Sequence, residues 1–155
     1  MRRNAIAALG LDNCAVNIDF IAKEEKAYII ELTGRGGANG LTDIVGEYYG
    51  IDYYEMMVVM ALGGDPRKVF EKSLKTPRAA VSKMLTSDKS GSVKSLYVPT
   101  LADTDIIMFI ETGSEVRAFT NSNDDIGQVV VSGENLIECQ SKIEEAVSAI
   151  CVELE

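Results

Sequence analysis

Two β-rich runs, Ala15 to Ile21 and Ala27 to Leu32, stand on either side of the polar segment Lys23-Glu24-Glu25-Lys26. So short a link allows only an antiparallel hairpin, because a parallel return needs a crossover of about a dozen residues or more. If Asp19 faces Glu31, then Asn17 faces Thr33, Ile21 faces Ile29, and the loop centres on Glu25. Side chains alternate along a strand, so Asn17, Asp19, Glu31 and Thr33 share one face, while Val16, Ile18, Phe20, Ile30 and Leu32 share the other. The apolar face is expected to be core; the opposite face collects oxygen atoms.

Two carboxylates set directly opposite each other repel, so their placement on an otherwise good hairpin asks for a cation. Oxygen-only ligands select a hard ion, and Mg²⁺ is commonly held by one or two carboxylates together with substrate phosphates. The other reading of the same residues is a pair of solvent-facing acids on a sheet edge that never meet. Past the hairpin lies Gly34-Arg35-Gly36-Gly37-Ala38-Asn39-Gly40. It matches neither a Walker A motif nor a dinucleotide fingerprint, since no Gly-Lys-Ser/Thr follows and Asn39 stands where a Gly is required. Backbone amides at the entrance to the next helix, with the planar fork of Arg35, suit a carboxylate or phosphate. A flexible turn with a surface Arg fits the loop equally well.

Composition excludes several chemistries. The 155 residues include no His and no Trp, so imidazole bases, Ser/His triads and His-ligated zinc are absent from this chain. With 15 Lys plus Arg against 24 Asp plus Glu, the net charge of -9 opposes binding along a nucleic-acid backbone. A basic stretch from Arg67 to Lys94 could touch phosphates, but no aromatic residues interleave to stack bases, and a solvated surface explains it better. Cys14, Cys139 and Cys151 are too widely spaced for a CxxC pair and are expected to be reduced and mostly buried. No apolar run is long enough to cross a membrane and no secretory signal is evident, so a soluble cytoplasmic protein is expected.

The punctuation Gly63-Gly64-Asp65-Pro66 marks the expected junction between two parts, residues 1–66 and 67–155. In the first, a helix tail from Arg2 to Leu9 stops at Gly10, the hairpin follows, and helices are expected from Leu41 to Gly50 and from Tyr53 to Leu62, the latter capped by Asp52. In the second, a short helix from Arg67 to Leu74 should precede strands at Val93 to Val98, Asp105 to Glu111, Glu115 to Phe119 and Gln128 to Ser132. A long amphipathic helix capped by Asn135 should close the chain, with Leu136, Cys139, Ile143, Ala146, Val147 and Ile150 as its apolar stripe. The fold class is α+β.

The order Asn17-Ile18-Asp19-Phe20, Tyr28-Ile29-Ile30-Glu31-Leu32-Thr33-Gly34-Arg35, Leu41-Thr42-Asp43-Ile44-Val45 and Tyr49-Gly50-Ile51-Asp52 resembles the C-terminal half of an ATP-grasp domain. That family includes biotin carboxylases, carbamoyl-phosphate synthetases, L-amino-acid ligases and several purine-pathway enzymes. The likeness continues through Ala61-Leu62-Gly63-Gly64-Asp65-Pro66. The remainder resembles the small β-rich subdomain, with its closing helix, found in biotin-carboxylase-like and amino-acid-ligase-like members. The resemblance implies that Asp19 and Glu31 bind Mg²⁺, or Mn²⁺ in its place, and that Thr33 occupies the position of a third ligand usually filled by Asn. It also implies that Arg35 steadies a substrate carboxylate, acyl phosphate or γ-phosphate, with Gly36, Gly37 and Asn39 near the substrate.

By the same resemblance the activity is ATP-dependent ligation of a carboxylate to an amine or thiol through an acyl phosphate. The adenine-binding segment and phosphate loop of the family have no counterpart here. The chain is therefore expected to be one part of a ligase, inactive alone, whose N-terminal half is supplied in cis or in trans. The alternative is a stand-alone binding or scaffold module that docks a partner through Met56, Met57, Met60 and Tyr48, Tyr49, Tyr53 and Tyr54, although helical spacing of this kind is more often plain core. Apolar sheet surface left uncovered by the missing half would favour a homodimer.

Overall fold

The computed structural model describes residues 2–73 and 76–155; Leu74 and Lys75 lie outside the described residues, and the helix expected to run from Arg67 to Leu74 stops at Phe70. In chain order the elements are α1 (Arg2–Ala8), β1 (Asn17–Lys23), β2 (Lys26–Thr33), α2 (Leu41–Tyr49), α3 (Tyr53–Ala61), α4 (Arg67–Phe70), β3 (Ala79–Leu85), β4 (Gly91–Tyr97), β5 (Thr104–Met108), β6 (Glu115–Val116), β7 (Gly127–Gly133), α5 (Leu136–Ala149) and β8 (Cys151–Leu154). They build three sheets, ordered β1-β2, β3-β7-β5 and β6-β4-β8, with every pairing antiparallel. No helix among the described residues is long and apolar enough to cross a membrane.

Strand β7 organises the molecule. All seven of its residues are buried, because it is central in its sheet and a helix covers each face. Val129 and Val131 point into a cluster with Cys139, Ile143 and Ala146 of α5, whereas Gln128, Val130 and Ser132 face the side occupied by α2 and its neighbours. This alternation follows from the two-residue period of a strand. The β6-β4-β8 sheet adds buried Val93 and Val116 and half-buried Leu96, Val152 and Leu154 to the same core.

Caps expected from sequence are in place. The Asp52 carboxylate accepts from the Glu55 amide at 2.8 Å, and the Asn135 side chain accepts from the Glu138 amide at 3.0 Å. Gly50 ends α2 in the left-handed region with φ 64°.

Several expectations need correction. β3 and β8 were not anticipated: β3 begins directly after Arg78, in a stretch whose charges masked its Ala-Ala-Val alternation. The chain closes with β8 after α5, since Ile150 leaves the helix with extended backbone and residues 151–154 pair with β4. β6 keeps only two residues, because the chain beyond Val116 turns away to pair by single hydrogen bonds with the Ser87 and Ser90 loop. The cysteines are free, as expected, but only Cys139 is buried; Cys14 lies in an exposed loop and Cys151 on an exposed strand position. The tyrosine and methionine stripe of α2 and α3 is not core: α3 has no buried residue, and Tyr48 and Tyr54 are exposed.

Ion pairs engage four of the eight basic residues of the stretch. Arg67 pairs with Asp65 at 2.8 Å, Lys72 with Glu55 at 3.6 Å, Arg78 with Asp103 at 3.3 Å and Lys94 with Glu153 at 3.9 Å. Among the described residues one acid is buried: the side chain of Asp124 is 3% exposed and is met by Arg117 at 3.1 Å. Its Oδ2 accepts from the Thr120 hydroxyl at 2.6 Å and from the Thr120 and Asn121 amides at 3.0 and 3.2 Å. Those bonds, the Thr120 hydroxyl first, hold the Asp124 carboxyl below its usual range. A depressed folded-state pKa contributes stability above the unfolded aspartate value of about 3.9, and that contribution is lost as pH falls through the lower folded value. The Asp124→Asn variant should therefore lose less of its urea midpoint than the parent between pH 6 and about pH 3, and equal losses would show that Asp124 contributes no such pH dependence.

Candidate functional site

The hairpin turn sets the geometry of the site. Glu24 and Glu25 are its two central residues, with φ of 49° and 62°, the left-handed conformation that lets a two-residue turn match strand twist. That turn pairs Lys23 with Lys26, and regular pairing continues through Ala22 with Ala27, Ile21 with Tyr28 and Phe20 with Ile29. The expected pairing of Ile21 with Ile29 is thus corrected by one residue, because the turn centres between Glu24 and Glu25 rather than on Glu25.

Continued without interruption, this register would set Asp19 against Ile30 and send the two carboxylates to opposite faces. A β-bulge between Asp19 and Phe20 absorbs Ile30 as an extra residue. Beyond it Asp19 faces Glu31, Ile18 faces Leu32 and Asn17 faces Thr33, as expected. The bulge therefore brings the two acids together.

Around the pair, Asn17 Nδ2 donates to Asp19 Oδ1 at 3.2 Å. Asp19 and Glu31 are exposed, while Thr33 is half-buried with its hydroxyl oxygen buried and without a hydrogen-bond partner. Arg35 is exposed and folds back so that Nη1 donates to the Gly36 carbonyl at 2.9 Å. No group of three or more Cys, Asp or Glu side chains that could hold a metal occurs among the described residues, so protein carboxylates alone supply only a partial shell. That donor set fits a hard ion that keeps water or phosphate ligands.

The apolar face of the hairpin is not the expected core. Of its expected residues Phe20 and Ile30 are exposed, Ile30 to 67%, while Val16, Ile18 and Leu32 are half-buried; Ile21 and Tyr28, also exposed, alternate onto the other face. β1 and β2 form a sheet of their own, and a sheet buries a face only against another layer.

The glycine-rich loop, in contrast, is anchored. Thr42 Oγ1 donates to the Gly37 carbonyl at 3.0 Å, and a Cβ at Gly37 would come 2.7 Å from that of Leu41 and 3.1 Å from Asn17 Oδ1. Gly40 has φ 77° and lies so close to Ser82 Oγ and Gln128 Nε2 that a Cβ would meet them at 2.6 and 2.9 Å. Ser82 Oγ donates to the Asn39 carbonyl at 3.4 Å. Asp43, in the first turn of α2, accepts from Gln128 Nε2 at 3.1 Å and from the Tyr54 hydroxyl at 3.2 Å. Burial, and then the Asp43 carboxylate, push the Tyr54 phenol above its usual pKa. Sequence reasoning gave Asp43 and Gln128 no role of their own and took Tyr54 as a docking residue; the available signal was a lone amide heading the apolar run Val129-Val130-Val131.

Residues 83–155 match the family model for L-amino acid ligase C-terminal domain 2. A crystal structure of phosphoribosylglycinamide synthetase from Anaerococcus prevotii superposes with a TM-score of 0.91 at 40% identity, covering 99% of this chain and 40% of that one. The chain belongs to the ATP-grasp ligase superfamily. More distant likenesses share the fold. An L-amino acid ligase from Bacillus licheniformis has a TM-score of 0.69 at 18% identity, covering 97% of this chain and 38% of that one. The biotin carboxylase domain of the Hydrogenobacter thermophilus 2-oxoglutarate carboxylase, a dimer in complex with MgADP and bicarbonate, has a TM-score of 0.78 at 16% identity, covering 97% and 34%. The chain thus spans well under half the length of these ATP-grasp proteins. No curated protein matches it in sequence.

Facing carboxylates with no ion between them should strain the hairpin by about 0.2–1 kcal/mol. Glu31→Gln is accordingly expected to raise stability to urea by that amount in the presence of a chelator. A fall in stability would mean that the two acids do not oppose each other in solution.

Proposed function

We propose that this chain contributes the Mg-ATP phosphate end of an ATP-dependent ligase that joins a carboxylate to an amine or thiol. The observation that carries the reading is the bulge, which breaks a regular hairpin at the one place that sets Asp19 opposite Glu31. On this reading Asp19 and Glu31 hold Mg²⁺, or Mn²⁺ in its place, with the partnerless Thr33 hydroxyl as the third candidate oxygen. The ion would supply charge neutralisation and alignment of nucleotide phosphates. Asn17 orients the Asp19 carboxylate through its amide. Arg35 offers a permanent cation with a planar fork to the substrate carboxylate, the γ-phosphate or the acyl phosphate formed between them, its bond to the Gly36 carbonyl yielding to the anion.

The chemistry suits an oxygen anion because the Arg35 guanidinium and the backbone amides of the glycine-rich loop directly follow the hairpin. The carboxylate takes the phosphoryl group from ATP, and the amine or thiol then displaces phosphate from the acyl phosphate. Residues 1–66 form the half-domain with the hairpin, and residues 67–155 form the linking helix and the small closing subdomain. The chain alone is inactive, and an ATP-binding half in cis or in trans completes the site in the cytoplasm. The exposed apolar face of the hairpin supports a layer added by that half, or by a second copy when it is absent. It equally favours the second reading, a non-catalytic docking module, which needs no metal.

Magnesium titration of the chain, followed through amide NMR shifts, separates the two. The ligase reading expects shifts at residues 17–19 and 31–33 that Asp19→Asn abolishes. A response indifferent to that substitution would overturn it. With the ATP-binding half present, Glu31→Gln should lower ATP turnover by more than the roughly 10–100-fold typical of groups that merely support a metal ligand.

A further inference from the structure

We infer that Gln128 is a positioning residue, whose buried amide clasps Asp43 and so fixes the entry of α2 and the glycine-rich loop that carries Arg35. The inference rests on reading that loop as the anion side of the proposed site. Gln128 is 6% exposed and sits on the α2 face of β7, between Gly127 and Val129, both buried. An amide buried there must find partners, and Nε2 finds Asp43 Oδ2 at 3.1 Å across 85 residues of chain.

The clasp does three things at once. It satisfies the Gln128 donor. It holds Asp43, which also accepts from Tyr54 and so ties α3 to the same point. It brings β7 against Gly40 closely enough that only a glycine fits, with Ser82 on β3 bonding the adjacent Asn39 carbonyl.

From there the path continues towards the metal hairpin. Leu41 donates to the Ala38 carbonyl at 3.2 Å and Ile44 to the Gly40 carbonyl at 2.9 Å, closing the loop onto the helix. Thr42 binds the Gly37 carbonyl, Gly37 packs beside Asn17 Oδ1, and the same Asn17 amide group donates to Asp19. The loop is thus held between the closing sheet and the hairpin, and Gln128 is its attachment on the sheet side. A positioned cation is worth more to an anion than a mobile one, because its ordering entropy has already been lost.

Hydrogen exchange of the Leu41 and Ile44 amides in the chain reads the clasp without any ligand. Gln128→Leu is expected to accelerate both by about tenfold, with β4 and β8 amides unchanged. Asp43→Ala, which also removes the Tyr54 bond, should accelerate them at least as much, and the double variant should be no faster than Asp43→Ala alone, since the Gln128 bond is already lost there. Effects that multiply, unchanged rates at Leu41 and Ile44, or uniform acceleration across the sheets would each overturn the inference and leave Gln128 as core packing. These rates do not depend on Mg²⁺, so a failed magnesium response would count against the ligase reading while leaving the clasp to be judged on its own.

Discussion

The structure depends on the burial of β7 between two helices. A strand covered on both faces must satisfy two environments with alternating residues, and Gly127–Gly133 does so: Val129 and Val131 enter the aliphatic core under α5, while Gln128, Val130 and Ser132 face α2. The aliphatic side supplies non-directional attraction, which places α5 but tolerates small shifts. The α2 side carries a directional hydrogen bond, which does not. The polar position in an otherwise valine-rich run is therefore where the sheet dictates how the preceding glycine-rich loop lies.

A second constraint acts at the other end of the site. The tight turn at Glu24 and Glu25 enforces one register and the facing acids require another, with the bulge at Ile30 as the reconciliation. Bulges bend and twist a strand pair and interrupt its ladder. Here the interruption falls beside two like charges, so the local structure gives up pairing and tolerates repulsion in the same place. Such a concentration of cost in an exposed hairpin is of the kind that a bound cation would offset.

The two ends are joined by elements from both sides of Pro66. α2 packs on β3 and β7, so the half carrying the hairpin and the half matching the L-amino acid ligase model share a surface. The polar network of Asp103 with Arg78 and Lys142, and of Lys142 with Glu138 and the Ser132 carbonyl, secures the far edge of the same sheet to α5. These contacts rigidify the platform on which the glycine-rich loop rests.

Local order was legible in the residues themselves. Asp52 and Asn135 announce helix starts through their side-chain acceptors, Gly50 announces an end, and alternation places Asn17, Asp19, Glu31 and Thr33 together, because capping and strand period are short-range effects. Pairing of Asp19 with Glu31 was also legible, but not its cause: a one-residue bulge depends on which turn forms, and Glu24 and Glu25 bear no mark of left-handed backbone. β3 and β8 escaped notice because an edge strand is stabilised by its neighbour more than by its own composition. Exposure of the hairpin's apolar face was likewise undetermined, since strand period states which residues share a face and never whether another layer covers it. The sequence by itself determined the candidate ligands, the caps that start α3 and α5 and the glycine that ends α2. Only the tertiary structure decided that Gln128 meets Asp43, because residues 85 apart in the chain are brought together by packing, which no local pattern encodes.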